Sequence, residues 1–126
     1  GYYKYQPGAK FTDKTNTVLE NARDTFDIYA VMYESTTETP FLDGTNIKTH
    51  PSIVMIAQLK ERKPTDAWTH FSMTFEPVAG RTLDPEKLRK GQYNLAIVMS
   101  SSQGGAFFRG AVGSTLWVDE LQLFHE

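Results

Sequence analysis

Hydrophobic and polar residues alternate along most of this chain in short runs rich in aromatic and β-branched side chains, broken by Pro, Gly, Asp and Asn. Successive side chains of a strand point to opposite faces, so a period of two predicts strands joined by turns. The predicted strands are Tyr2–Gln6, Thr25–Glu34, Ile53–Glu61, Trp68–Phe75, Tyr93–Ser100 and Thr115–Phe124, with a short one near Phe107–Arg109. Parity then assigns faces. Phe71, Met73 and Phe75 form a core side opposite His70, Ser72 and Thr74, and Leu95, Ile97 and Met99 form a second core stripe. In the last strand the apolar parity changes between Leu116, Val118 and Leu121, Leu123, which predicts a β-bulge at Asp119 and Glu120. One short helix is expected over Pro85–Lys90, with Asp84 as its cap, Pro85 in its first turn and Gly91 at its exit. The intervening segments Pro7–Arg23, Ser35–Pro51 and Ser100–Ser114 are long loops, the usual place for binding.

Strands at this spacing, almost without helix, make the expected fold class all-β: a single antiparallel β-sandwich domain over residues 1–126, or the C-terminal part of a larger one. The length of 126 residues allows one core and is short for two ordinary domains. A net charge of −2, with basic residues scattered, leaves little footprint for nucleic acid or an anionic membrane. Without cysteine there is neither a disulfide framework nor a thiolate metal site. No apolar run nears the ~18 residues of a transmembrane helix, and no signal peptide is recognisable. The chain opens Gly1-Tyr2-Tyr3 without Met, the expected start of a processed product or an excised fragment.

Four stretches carry a resemblance. They are Gly1–Gly8 (GYYKYQPG), Asp27–Glu34 (DIYAVMYE), Tyr93–Ser102 (YNLAIVMSSS) and, most specific, Phe108–Glu120 (FRGAVGSTLWVDE). Together they resemble the putative carbohydrate metabolism domain, a family of secreted or surface-anchored proteins, lipoproteins among them, in saccharide-degrading bacteria. The resemblance implies a jelly-roll-type sandwich similar to carbohydrate-binding modules, at the cell surface or in the periplasm. It also implies strands upstream of the segment resembling Gly1–Gly8. The predicted strands fall short of the about eight of a complete jelly roll. An N-terminal fragment or self-association is therefore the expected way of completing the sandwich.

For a sugar, the site wants aromatic rings for the C–H faces and planar polar groups for the hydroxyls. Asp27, Tyr29 and Tyr33 share one strand face and offer that set, although tyrosines also cover sandwich faces for packing alone. Trp68, with His70 on its side, carries the same two readings. Phe107, Phe108 and Arg109 lie between glycines. Two adjacent aromatics cannot both face one core, so at least one is expected at the surface, unless the segment is a plain hairpin. Asp119 and Glu120 at the expected bulge, with loop acids such as Asp13 or Asp43, are the candidate ligands of a structural calcium ion. The sequence lacks an EF-hand ladder, however, and indicates no other cofactor. Gly104-Gly105 is not followed by the Lys-Ser/Thr of a phosphate loop, and neither Gly-x-Ser-x-Gly nor His-Glu-x-x-His occurs. His50, His70 and His125 stand singly. The expectation is a non-catalytic carbohydrate-binding or accessory module with a glycan as ligand. A structural or adhesive sandwich without a sugar site is the alternative, and an enzyme domain comes third.

Overall fold

A computed structural model describes residues 1–36, 42–43 and 46–124. Of these, 38% lie in strands and 7% in helices, so the chain is all-β, with antiparallel sheets of the kind that build β-sandwiches. The elements are β1 (Tyr2–Gln6), β2 (Phe11–Thr12), β3 (Asp27–Glu34), β4 (Ile53–Gln58), β5 (Thr65–His70), β6 (Glu76–Pro77), α1 (Pro85–Arg89), β7 (Tyr93–Ser100), β8 (Gly110–Ala111) and β9 (Thr115–Asp119). They group into two compact units. One comprises Gly1–Asp27, Leu59–Ser72 and Met99–Glu126, the other Ile28–Gln58 and Met73–Val98.

The first unit is organised by β1, the centre of a three-stranded sheet in the order β5-β1-β9. The alternation of its five residues explains why. Tyr3 and Tyr5 are 5% and 1% exposed, and their rings meet Phe26 at centroid distances of 4.8 and 4.9 Å, while Tyr2 and Gln6 face outward. Buried phenols need partners. The Tyr5 hydroxyl donates to the Ser101 carbonyl at 2.8 Å and that of Tyr3 to the Lys63 carbonyl at 3.3 Å. A small ribbon, β2 against β8, completes the unit.

Asp24 ties these parts together. It is buried, and its Oδ2 accepts from the Ser102 hydroxyl at 2.5 Å, the Ser114 hydroxyl at 2.6 Å and the Ala111 N–H at 3.0 Å. Ser114 Oγ in turn accepts the Gly8 N–H at 2.9 Å. Gly8 must be glycine here, because a Cβ would stand 2.2 Å from the Val112 carbonyl oxygen.

The second unit holds a four-stranded sheet, β6-β4-β3-β7. Its antiparallel β3–β4 pairing runs from Tyr29 opposite Gln58 to Tyr33 opposite Ile53. The core gathers Tyr29, Val31, Tyr33, Ile47 and Ile53, with Ala96 and Val98 packed against them. This corrects the expected faces of β7. Leu95, Ile97 and Met99 are 39%, 37% and 43% exposed, and the smaller Ala96 and Val98 face the core. The bulky tyrosines of β3 already fill that space and leave room for small partners only. Helix α1 is built as expected. Asp84 Oδ1 accepts the Glu86 N–H at 2.9 Å, and Gly91 leaves the helix at φ +69°. Lys87 reaches back to Glu34 at 2.8 Å, which holds its ammonium pKa above the ordinary value.

Several predicted strands have other bounds: the one expected over Thr25–Glu34 begins at Asp27, and the one expected over Ile53–Glu61 stops at Gln58. The one expected over Trp68–Phe75 runs over Thr65–His70. Beyond it Phe71 exchanges hydrogen bonds with Gly1, and the inward side of Phe71, Met73 and Phe75 persists without a ladder. The last strand stops at Asp119, and Glu120 takes up φ +53°, a left-handed conformation outside the β region. Irregular chain follows in place of the expected bulge, and Leu121 and Leu123 are exposed instead of core. In place of the short strand at Phe107–Arg109 there is a single 3-10 turn, Gly105–Phe107. The expected loop Ser35–Pro51 falls partly, and His125 wholly, outside the described residues.

Candidate functional site

The outward face of the β5-β1-β9 sheet has the residue types expected of a sugar surface, assembled mostly from positions other than those foreseen. β1 places Lys4 directly opposite Trp117 of β9. On the other side Tyr3 pairs with Thr69 and Tyr5 with Thr65, so Lys4 alone faces the three residues Asp66, Ala67 and Trp68. This irregularity is held by Thr65 and Thr69, whose hydroxyls both donate to the Ala67 carbonyl at 3.0 Å. Such bulges re-aim side chains. Here Trp68 turns outward, 48% exposed, and Trp117 is 42% exposed. The Lys4 ammonium sits between the two indoles, 4.7 Å from the Trp68 ring centroid and 5.4 Å from that of Trp117. Cation–π attraction fixes the lysine and orients both rings without covering them. Tyr2 and His70 extend the face, edge to face at 5.4 Å. An indole open to solvent on each side of a charged donor can stack the C–H face of a sugar while the ammonium donates to a hydroxyl.

Of the foreseen residues, Trp68 and its neighbour His70 belong to this face. Asp27, Tyr29 and Tyr33 do not, and that expectation is corrected. Tyr29 and Tyr33 are 6% and 5% exposed within the core of the second unit, and Asp27 is buried in an ion pair with Arg62 at 3.1 Å. Their shared parity was read correctly, but the face they share points inward. Phe107 and Phe108 are both exposed, at 62% and 75%, with Phe108 held at φ +58° as the 3-10 turn ends.

Arg109 lines a cleft of 330 Å³ in the first unit, together with Phe11, Arg23, Asp24, Thr25 and Gln103. Asp119 is the last residue of β9 and Glu120 follows it, its N–H donating to Asp119 Oδ1 at 2.8 Å. Of the two loop acids considered beside them, Asp43 donates its N–H to Asn46 Oδ1 at 2.8 Å, and Asp13 is committed to its own turn. It accepts from the Thr15 hydroxyl and the Thr15 and Thr17 N–H groups, which lowers its pKa from the ordinary value. Among the described residues no group of three or more His, Asp or Glu side chains gathers around one point.

Lys4, Tyr2 and Trp117 were missed from sequence. The signal for Trp117 was present, since a strand whose Leu116 and Val118 face inward must turn the residue between them outward.

A family model described as putative carbohydrate metabolism domain matches residues 1–124. The chain belongs to this family. No curated protein matches it. Two solved structures are similar to it. One is named a putative glycoside hydrolase from Bacteroides thetaiotaomicron; it is 47% identical with a TM-score of 0.96, over 100% of this chain and 37% of that one. The other, named a putative glycoside hydrolase from Bacteroides vulgatus, is 41% identical with a TM-score of 0.81, over 92% of this chain and 46% of that one. The chain thus spans less than half the length of these structures. The stretch Phe108–Glu120, which carried the most specific resemblance to the putative carbohydrate metabolism domain, supplies Ala111 and Ser114 to Asp24 and Trp117 to the exposed face.

Proposed function

We propose that this chain is a non-catalytic carbohydrate-binding or accessory module of a secreted or surface-anchored protein of saccharide utilisation, outside the cytoplasm. The observation that carries this reading is the pair of open indoles, Trp68 and Trp117, flanking Lys4 on one sheet face. Membership of the putative carbohydrate metabolism domain and the names of the two similar structures support a role with carbohydrate. Binding is favoured over catalysis because the rings lie on an open sheet face, suited to stacking, where a glycosidase needs two carboxylates opposed across a bond. Affinity electrophoresis or calorimetry against a panel of bacterial and plant polysaccharides tests the proposal. Trp68→Ala and Trp117→Ala should each weaken binding by ~1–2 kcal/mol, the scale of one aromatic stacking contact. Full affinity in the Trp68→Ala/Trp117→Ala double variant would remove the face from consideration. Hydrolysis of a chromogenic glycoside, lost on changing one carboxylate, would make the chain an enzyme instead.

A second reading, an interaction module, has its own observation. Strand β7 is the outermost of its sheet and eight residues long, with Leu95, Ile97 and Met99 exposed along it. An apolar edge of that length can accept a further strand, from another segment of the parent protein or from a second copy. Light scattering that finds a homogeneous monomer, with unchanged behaviour in Ile97→Lys, would argue against it.

A further inference from the structure

The cleft of 330 Å³ in the first unit shares no residue with the tryptophan face, and its size is at the lower end of the about 300–1,000 Å³ of small-molecule sites. It is closed on one side by the Gln103 N–H donating to the Thr25 carbonyl at 2.7 Å and shaped on the other by Arg109, whose N–H donates to the Gly104 carbonyl at 3.1 Å. Gly104 permits this close approach, since a Cβ there would stand 3.0 Å from that of Arg109.

The charged residues that line the cleft are mostly basic. Two guanidiniums, Arg23 and Arg109, line it against one carboxylate, Asp24, in a chain whose net charge is −2. The Asp24 Oδ2 is already occupied by three donors, and neither arginine takes part in an ion pair among the described residues. The Arg109 guanidinium lies 5.7 Å from the Phe11 ring centroid, a contact that restrains its plane at the cleft wall. Planar, always-charged forks of this kind match the oxygens of a carboxylate or sulfate group. Gln103 and Thr25 add neutral hydrogen-bonding groups suited to hydroxyls, and Phe11 adds an apolar wall.

We infer that this cleft binds an anionic sugar residue, whose carboxylate or sulfate pairs with Arg23 and Arg109 while its ring lies against Phe11. The inference rests on the carbohydrate reading above but concerns a separate place on the molecule, so the two fail separately. The test is a chemical-shift titration of the labelled chain with glucuronic acid, glucose 6-sulfate, glucose and inorganic sulfate at low ionic strength. At least one anionic sugar should bind tenfold or more tightly than glucose, with shifts centred on Gln103 and Gly104. The sugar that binds identifies the anionic group as carboxylate or sulfate. Arg23→Gln and Arg109→Gln, both at exposed positions and checked for an unchanged amide spectrum elsewhere, should each weaken that binding about tenfold. Trp68→Ala with Trp117→Ala should leave it intact. Glucose binding equally well, anionic binding that survives both arginine changes, or no binding by any sugar would overturn the inference and leave the tryptophan face untouched. Inorganic sulfate matching the sugar sulfate would reduce the cleft to a bare anion site and overturn the sugar assignment.

Discussion

Replacing Asp24 removes the one acceptor shared by three segments of the first unit. Its Oδ2 holds the Ser102 and Ser114 hydroxyls and the Ala111 N–H, while Oδ1 is buried without a hydrogen-bond partner among the described residues. Hydrogen bonds to a charged group contribute about 1.5–3 kcal/mol each, and a buried donor left unpaired costs about 1–3 kcal/mol. These values do not add, because the two hydroxyls can rotate to other acceptors; the Ala111 amide cannot. Asp24→Ala should therefore destabilise by ~3–4 kcal/mol. Asp24→Asn should cost somewhat less, ~2–3 kcal/mol, since its amide oxygen can replace Oδ2 but its NH₂ must take the place where Oδ1 finds no partner. Ser114→Ala should cost ~1–2 kcal/mol and show strong coupling to Asp24→Ala in a double-mutant cycle. Urea unfolding followed by far-ultraviolet circular dichroism measures all four. With a slope of about 1–3 kcal/mol per molar, Asp24→Ala should move the midpoint by more than about 1 M. A loss under about 1 kcal/mol for Asp24→Ala, with unchanged slope and additive behaviour with Ser114→Ala, would refute the role of this carboxylate as the tie between segments.

The Tyr5 phenol is raised above its ordinary pKa of 10.0, chiefly by burial and further by the charge of Asp24, with the polar Ser114 side chain opposing. The unfolded chain therefore loses this proton first, so stability present below about pH 10 should fall as pH rises through the folded value; Tyr5→Phe should flatten that fall, as denaturant midpoints between pH 8 and 11 would show. Phe71, 6% exposed, should cost ~3–5 kcal/mol as Phe71→Ala, against about 0.5 kcal/mol for the exposed Ser72→Ala. On β7 the reversed faces predict that Val98→Ala destabilises more than Ile97→Ala, despite the larger side chain removed in the second; the opposite order of midpoints would restore the face assignment read from sequence.

Local rules make much of this protein legible in its sequence. Tyr2–Gln6 and Tyr93–Ser100 are strands with the bounds that alternation predicts, and α1 starts and stops on Asp84, Pro85 and Gly91 because caps act within one turn. The family was legible too, carried by the stretch Phe108–Glu120 and its companions. Alternation says which side chains share a face. Which face is the core depends on what packs against it, and that is a property of partners distant in sequence. For this reason Tyr29 and Tyr33, correctly grouped, turned out to be interior, and Leu95 and Ile97, correctly grouped, turned out to be exterior. The candidate sites were hidden by the same distance. Lys4, Trp68 and Trp117 come together only because β1 pairs with β5 on one side and β9 on the other, and because a bulge at Asp66–Trp68 turns one indole outward. Arg23 and Arg109 share a cleft through a backbone hydrogen bond between Thr25 and Gln103 that no spacing rule encodes. Pattern along a chain fixes the two sides of each strand, whereas the choice between them, and every surface built from several strands, is decided by long-range pairing and packing.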